Sequence, residues 1–171
     1  KDSKYKSYDG VVYSKDGKTV LEMPLKRSEL IIREGCTTFD VQAVAYDSVF
    51  DDSDMFACDS LRKVIIPESV EKVVDSRNLL AKTKRAGFKV EDVIVKSKNM
   101  DGNSIGLLAT CFNQIEIEKL MKQFPNQIKK KGGMYISNDN VLVKYEGEAK
   151  NVIIPSYVKE IADNAFYMAN V

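Results

Sequence analysis

Apolar residues recur along this chain at fixed distances from a pair of isoleucines. Ile31-Ile32 is followed by Cys36 and Phe39, Ile65-Ile66-Pro67 by Val70 and Val73, and Ile153-Ile154-Pro155 by Val158 and Ile161. Counted from the second isoleucine, the apolar positions fall at +4 and +7 each time. Ile154 is followed further by Phe166 and Val171 at +12 and +17, and Val95 by Leu107, Phe112 and Ile117 at +12, +17 and +22. Ile117 in turn has Met121 at +4 and Phe124 at +7. The spacing predicts five rungs, centred on Ile32, Ile66, Val95, Ile117 and Ile154 and separated by 34, 29, 22 and 37 residues. The Val95 rung has Asn99 and Gly102 where the others are apolar. Such repetition predicts a solenoid, because each coil must offer apolar side chains where neighbouring coils can bury them.

A strand is predicted within each rung. Leu61, Val64 and Ile66 fit the spacing L-x-x-L-x-L, as do Val90, Val93 and Val95, and Phe112, Ile115 and Ile117. Side chains two apart share a strand face, so Val64 and Ile66 are expected inward and Ile65 outward. Leu30–Ile32, Val64–Ile66, Val93–Val95, Ile115–Ile117 and Val152–Ile154 are the expected neighbours in one mainly parallel sheet. Elsewhere, Val11–Ser14 and Thr19–Met23 flank Asp16-Gly17, a strong hairpin signal. Asp47 to Asp54 is an acidic insertion. Arg77 to Ala86 reads as a helix after Asp75 or Ser76, stopped by Gly87. Ser104 to Phe112 reads as a helical or irregular segment capped by Asn103 or Ser104. Gln114–Ile117 is expected to be a strand, although Glu116 to Gln123 also suits a helix with a Glu118–Lys122 pair. Leu120 to Phe124 reads as a helical turn ended by Pro125, and Lys129–Lys131 as an exposed connector.

Met55-Phe56-Ala57-Cys58-Asp59-Ser60-Leu61-Arg62-Lys63-Val64-Ile65-Ile66-Pro67-Glu68-Ser69-Val70 resembles the BspA-like, or Treponema-type, leucine-rich repeat family. The segment from Asn151 to Asn170 is similar, with Met168 in the cysteine position. Asp9 to Leu21 and Tyr135 to Tyr145 resemble hairpins that such proteins carry before a repeat. The resemblance is close over 28–73 and 134–171. It is poor over 75–133, where Lys96 and Glu118 replace the proline after the strand. The fold class it implies is α/β: a leucine-rich-repeat solenoid of about five irregular rungs, with a mainly parallel sheet and inserted β-hairpins. Residues 1–171 then form one domain or a segment of a longer array. Residues 1–27 are an N-terminal hairpin region, 28–74 repeats, 75–133 divergent repeats with helical insertions, and 134–171 a hairpin plus a C-terminal repeat.

Composition narrows the function classes. Hydrophobic content of 44% with 30% charged residues suits a folded chain. A net charge of +1 gives no global attraction to nucleic acid or acidic membranes. No apolar run approaches the roughly 18 residues needed to span a bilayer. The chain has no export signal and starts at Lys1, as a processed or trimmed chain would. It has no His, which excludes Ser-His-Asp and Cys-His nucleophile systems and every His-containing zinc site. Its three cysteines, Cys36, Cys58 and Cys111, are one short of an all-cysteine zinc site. Their odd number and wide spacing predict buried, unpaired thiols. No phosphate-cradling glycine motif occurs. Asp51, Asp52 and Asp54 lack the spacing and glycine of a calcium loop. Lys82 to Arg85 and Lys129–Lys131 lack interleaved aromatics and read as solvated surface. No cofactor and no metal is expected.

A surface is left as the candidate. Ile31, Ile65, Ile94 and Ile153 are the outward strand positions, interrupted by Glu116, with Lys63 and Lys96 two positions away on the same face. Stacking aligns them in an apolar stripe, which either marks a partner site or lies under a hairpin or insertion. The resemblance implies a non-catalytic binding module of a bacterial surface or secreted protein, with roles that include adhesion. Its partner would be a protein or other extracellular macromolecule held by the sheet face. The alternatives are a spacer displaying another domain, or an enzyme with its site in 75–133. Phe166, Met168 and Val171 match Phe56, Cys58 and Leu61 in spacing, so the gene is expected to continue into a further repeat or a cap.

Overall fold

The computed structural model describes residues 4–24, 26–46, 56–57, 60–77, 90–112, 115–162, 165–166 and 169. At the N-terminus, β1 (Tyr5–Tyr8), β2 (Val11–Ser14) and β3 (Thr19–Glu22) form an antiparallel meander. Asp9 and Gly10 turn β1 into β2 with φ of 48° and 75°, a backbone that glycine adopts without a Cβ penalty. In the next turn Asp16 accepts from the Ser14 hydroxyl at 2.5 Å and from the Lys18 N–H at 2.9 Å. Alternation then buries Val11, Tyr13 and Val20 on one face.

The next strands are β4 (Glu29–Ile31), β5 (Thr38–Asp40), β6 (Ala45–Tyr46), β7 (Phe56–Ala57), β8 (Lys63–Ile66), β9 (Lys72–Val74) and β10 (Asp92–Val95). They pair in parallel, except for β6 and β7, which run antiparallel. They complete a five-stranded sheet of order β1-β2-β3-β5-β9, a three-stranded sheet of order β10-β8-β4 and a two-stranded β6–β7 pair. The isoleucine spacing has a local meaning. Cys36 N–H donates to the Arg33 carbonyl, Val70 N–H to Pro67 and Val158 N–H to Pro155, at 3.1, 3.3 and 2.9 Å. Each turn places its +4 residue inward and sends the chain on to a strand holding the +7 residue: Phe39, Val73 or Ile161.

Helix α1 (Gly102–Cys111) begins where Asp101 accepts the Ser104 N–H at 2.7 Å. Helix α2 (Ile117–Gln123) follows, then β11 (Ile128–Lys131), β12 (Met134–Ser137), β13 (Val141–Tyr145) and β14 (Glu160–Ile161), in a sheet of order β11-β12-β13-β14. Most of the apolar interior is one cluster reaching from Val11 to Val143, with a smaller one around Leu142, Tyr145 and Ala165.

The expected solenoid is overturned. Among the described residues the strands divide into four small sheets, two of them built largely from antiparallel hairpins, with two helices. Leu30–Ile31, Val64–Ile66 and Val93–Val95 do lie side by side in parallel. Ile117 opens a helix, and Val152–Ile154 forms no strand. After Val95 no apolar residue stands at +4 or +7 to draw the chain back into the five-stranded sheet. Asp101 starts a helix there instead. Ser104 then covers the β9 edge, its hydroxyl accepting the Val73 N–H at 2.8 Å. The Gln123 amide donates to the carbonyls of Val95 and Ser97 at 3.1 and 2.6 Å. The misreading at Ile117 has a geometric cause. Offsets of +4 and +7 are also helical offsets; in the helix the buried positions are Ile117, Leu120 at +3 and Phe124 at +7, with Met121 at +4 half-buried.

Three smaller expectations also change. The α1 cap is Asp101, not Asn103 or Ser104. Lys129–Lys131 belongs to strand β11 and is no connector. Glu118 pairs with Lys130 across elements. The acidic insertion, nearly all of the helix expected from Arg77, and Cys58, Met168 and Val171 lie outside the described residues.

Cys36 and Cys111 are buried and unpaired, as expected. Burial pushes the Cys111 thiol well above its ordinary value, and the nearby Asp75 adds to the shift. Burial raises Cys36, Tyr13 and Tyr135 in the same direction. A raised folded value keeps its stability contribution below the unfolded value and loses it as pH rises toward the folded one. Urea midpoints should therefore hold up to about pH 9 and fall above it. Cys111→Ala should show a shallower alkaline fall than the parent, and an unchanged slope would remove Cys111 as a contributor.

Candidate functional site

The sheet β10-β8-β4 carries the candidate surface. Val64 and Ile66 are fully buried in β8, so Lys63 and Ile65 emerge on the other side. The register sets Ile31 opposite Ile65, and Ile65 opposite Ile94. Three isoleucines thus form a row across three parallel strands. Ile31 is 57% exposed, while Ile65 and Ile94 are half-buried.

Charges bound this row. Lys63 lies in register between Glu29 and Asp92, giving an acid–base–acid row two residues before the isoleucines. Beyond the other end of β10, Lys96 is exposed, and its N–H donates to the Ile66 carbonyl at 2.8 Å. Arg62–Glu91 at 3.4 Å and Lys98–Glu68 at 3.0 Å are ion pairs beside the strands and turns of this sheet. Five of the six expected surface residues therefore gather on one sheet. Ile153 does not join them. It lies in an unpaired segment and is 87% exposed. Glu29 and Asp92 escaped the sequence reading. Their signal was present, since each stands two residues before an outward isoleucine, as Lys63 does.

A second polar cluster lies where α2 meets the C-terminal sheet. Glu118 receives a hydrogen bond from Lys130 Nζ. The Tyr135 hydroxyl donates to Glu146 at 2.9 Å, and Lys144 Nζ lies 2.8 Å from Glu146. The Lys130 hydrogen bond lowers Glu118, and the Glu118 partner raises Lys130. Burial pushes Glu146 up, but the bond and charge of Lys144 outweigh it and leave the carboxyl below its usual value. Two cations balance two carboxylates, and the shifts of Glu118, Lys130 and Glu146 favour the charged forms. General acid–base work needs the opposite, a group brought toward the working pH. The cluster suits a clasp between α2 and the C-terminal hairpin. Among the described residues, no three acidic, cysteine or histidine side chains are grouped to hold a metal ion.

No model of a known protein family, no curated protein and no solved structure matches the chain. Among the described residues no helix is long and apolar enough to cross a membrane.

Proposed function

We propose that this chain is a non-catalytic protein-binding module and that it recognises its partner with the outward face of β4, β8 and β10. The observation that carries the reading is the continuous row of Ile31, Ile65 and Ile94, bordered by Glu29, Lys63 and Asp92 on one side and by Lys96 on the other. An apolar centre with a charged rim is the anatomy of a recognition surface. The resemblance to BspA-like proteins supports a secreted or cell-surface setting, with adhesion among the roles that follow. The balanced charges of the Glu118–Lys130 and Lys144–Glu146 pairs support a non-catalytic reading of the region near α2.

Ile65→Lys tests this directly. Its side chain is half-buried on the outward face, so the stability change should stay near about 1 kcal/mol. Binders selected from a random peptide library against the parent chain should lose at least about tenfold in affinity for the variant, or about 1.4 kcal/mol. If selected binders are indifferent to Ile65→Lys and Ile31→Lys, the face is not the recognition surface. If Ile65→Lys unfolds the chain, the row is core, and the spacer reading gains.

A further inference from the structure

The outward face of β4, β8 and β10 carries two parallel rows, and their spacing selects what can lie on it. Pairing without slip sets Glu29, Lys63 and Asp92 in one row and Ile31, Ile65 and Ile94 in the next. Each row crosses three strands, so its outer members stand about 9.6 Å apart. The rows themselves are two residues apart along the strands, or about 6.6 Å. The apolar row therefore runs across the strands. Along any one strand of this face, a single isoleucine follows a single charged residue.

An extended segment fits this layout badly. Laid along the strands, it would meet one isoleucine. Laid across them, its same-face side chains would fall about 6.8 Å apart, against an inter-strand step of about 4.8 Å. An α-helix laid across the strands keeps step. Its residues i and i+7 share a face and stand about 10.5 Å apart. The residue at i+3 or i+4 falls between them, over Ile65. Over the whole row the mismatch is then only about 1 Å. Charge supplies the second constraint. Glu29 and Asp92 are exposed. Among the described residues no ion pair involves Glu29, Lys63 or Asp92, although their chain neighbours Arg62 and Glu91 pair with each other at 3.4 Å. The row thus presents negative, positive and negative charge, in that order, beside the isoleucines.

We propose that the partner of this face is an amphipathic helix of another protein, lying across the three strands. The proposal rests on the recognition role given to the face above. The helix has aliphatic residues at i, at i+3 or i+4, and at i+7. Along the edge of that stripe nearest Glu29, Lys63 and Asp92 it carries a basic, an acidic and a basic residue at the same spacing. The aliphatic side chains pack on the isoleucines and supply affinity. The charge order sets the register and rejects helices with the opposite order.

The probes are three labelled alanine-based peptides with leucine at i, i+4 and i+7. The first has Lys, Glu and Lys along the flanking edge, and the second has Glu, Lys and Glu. The third is the first with a central alanine replaced by proline, which breaks the helix. Titrated against the full chain, the first should bind saturably and at least about tenfold tighter than the other two. Overall charge argues the reverse, since a chain of net charge +1 favours the acidic peptide. The triple variant Glu29→Lys, Lys63→Glu and Asp92→Lys should transfer the preference to the second peptide. If that variant fails to fold, the peptide pair still tests the parent chain. The proposal is overturned if the proline peptide binds as well, if the two charge orders bind alike, or if the folded triple variant keeps the parent's preference. It also falls if no helical peptide binds while library-selected peptides still lose affinity on Ile65→Lys. The face then recognises a partner that is not a helix, and the broader reading stands. If no peptide of either kind responds to Ile65→Lys, both readings fall together. A chain that is dimeric alone and monomeric as Ile65→Lys gives the row to a second copy and overturns the helix.

Discussion

Replacing Phe39 with alanine is expected to destabilise the fold by about 3–5 kcal/mol. Phe39 lies in β5, the fourth strand of the five-stranded sheet, in register with Val20 on one side and Val73 on the other. Its ring stacks on Phe112 with centroids 6.3 Å apart and planes 10° from parallel. It is fully buried, so truncation removes apolar contact and leaves a cavity that two flanking strands and a helix end hold open. Ile161→Ala is the internal control. Ile161 holds the same +7 place after its isoleucine bend but is half exposed, so its loss should cost only about 1 kcal/mol. Urea unfolding of both variants measures the difference. Equal losses would show that Ile161 is buried in solution as fully as Phe39.

Gly106→Ala should also destabilise, although helix propensity argues the reverse. In an exposed helix interior alanine is worth roughly 1 kcal/mol more than glycine. Here a Cβ at Gly106 would stand 2.5 Å from the Val143 Cβ, and one at Gly102 would stand 2.5 Å from the Ser137 Cβ and 2.7 Å from the Gln127 carbonyl oxygen. The two glycines are four residues apart and share one face of α1, where β12 and β13 approach closely. Overpacking of this kind costs about 1–3 kcal/mol and occasionally more, so a net loss of about 1–2 kcal/mol is expected after the propensity gain. Val143→Ala should not rescue it, because the obstructing atom is the Cβ that alanine keeps. A raised melting temperature for Gly106→Ala would show that α1 does not pack on β13 as described.

The Asp16-Gly17 hairpin, the hairpin between Tyr135 and Tyr145 and the isoleucine bends were legible because their causes are local, whereas strands β1 and β11 were not read. Asp16-Gly17 sets its own turn, and each isoleucine pair leads into a bend closed by a bond across three residues. The inward and outward faces of β8 followed from alternation alone. The row of Ile31, Ile65 and Ile94 was legible because each is the outward position of a strand with the same alternation, although only the first two lead into matching bends. The polar cluster of Glu118, Lys130, Tyr135, Lys144 and Glu146 was not, because its members come from four separate elements with no common spacing.

By itself, then, the sequence determined the bends and the strand faces, since each depends on residues within a few positions of one another; it grouped Ile31, Ile65 and Ile94 but wrongly added Ile153, which lies in no strand. The tertiary structure alone decided the architecture. Whether Ile117 begins a strand or a helix turned on burial of Leu120 at +3 together with Phe124 at +7, which the rung offsets of +4 and +7 did not distinguish. Where the two ladders end was decided by contacts between residues far apart: Ser104 on the β9 edge and Gln123 on the carbonyls of Val95 and Ser97. An edge closes when a distant side chain supplies the missing hydrogen-bond partner, and no local pattern records which side chain that will be.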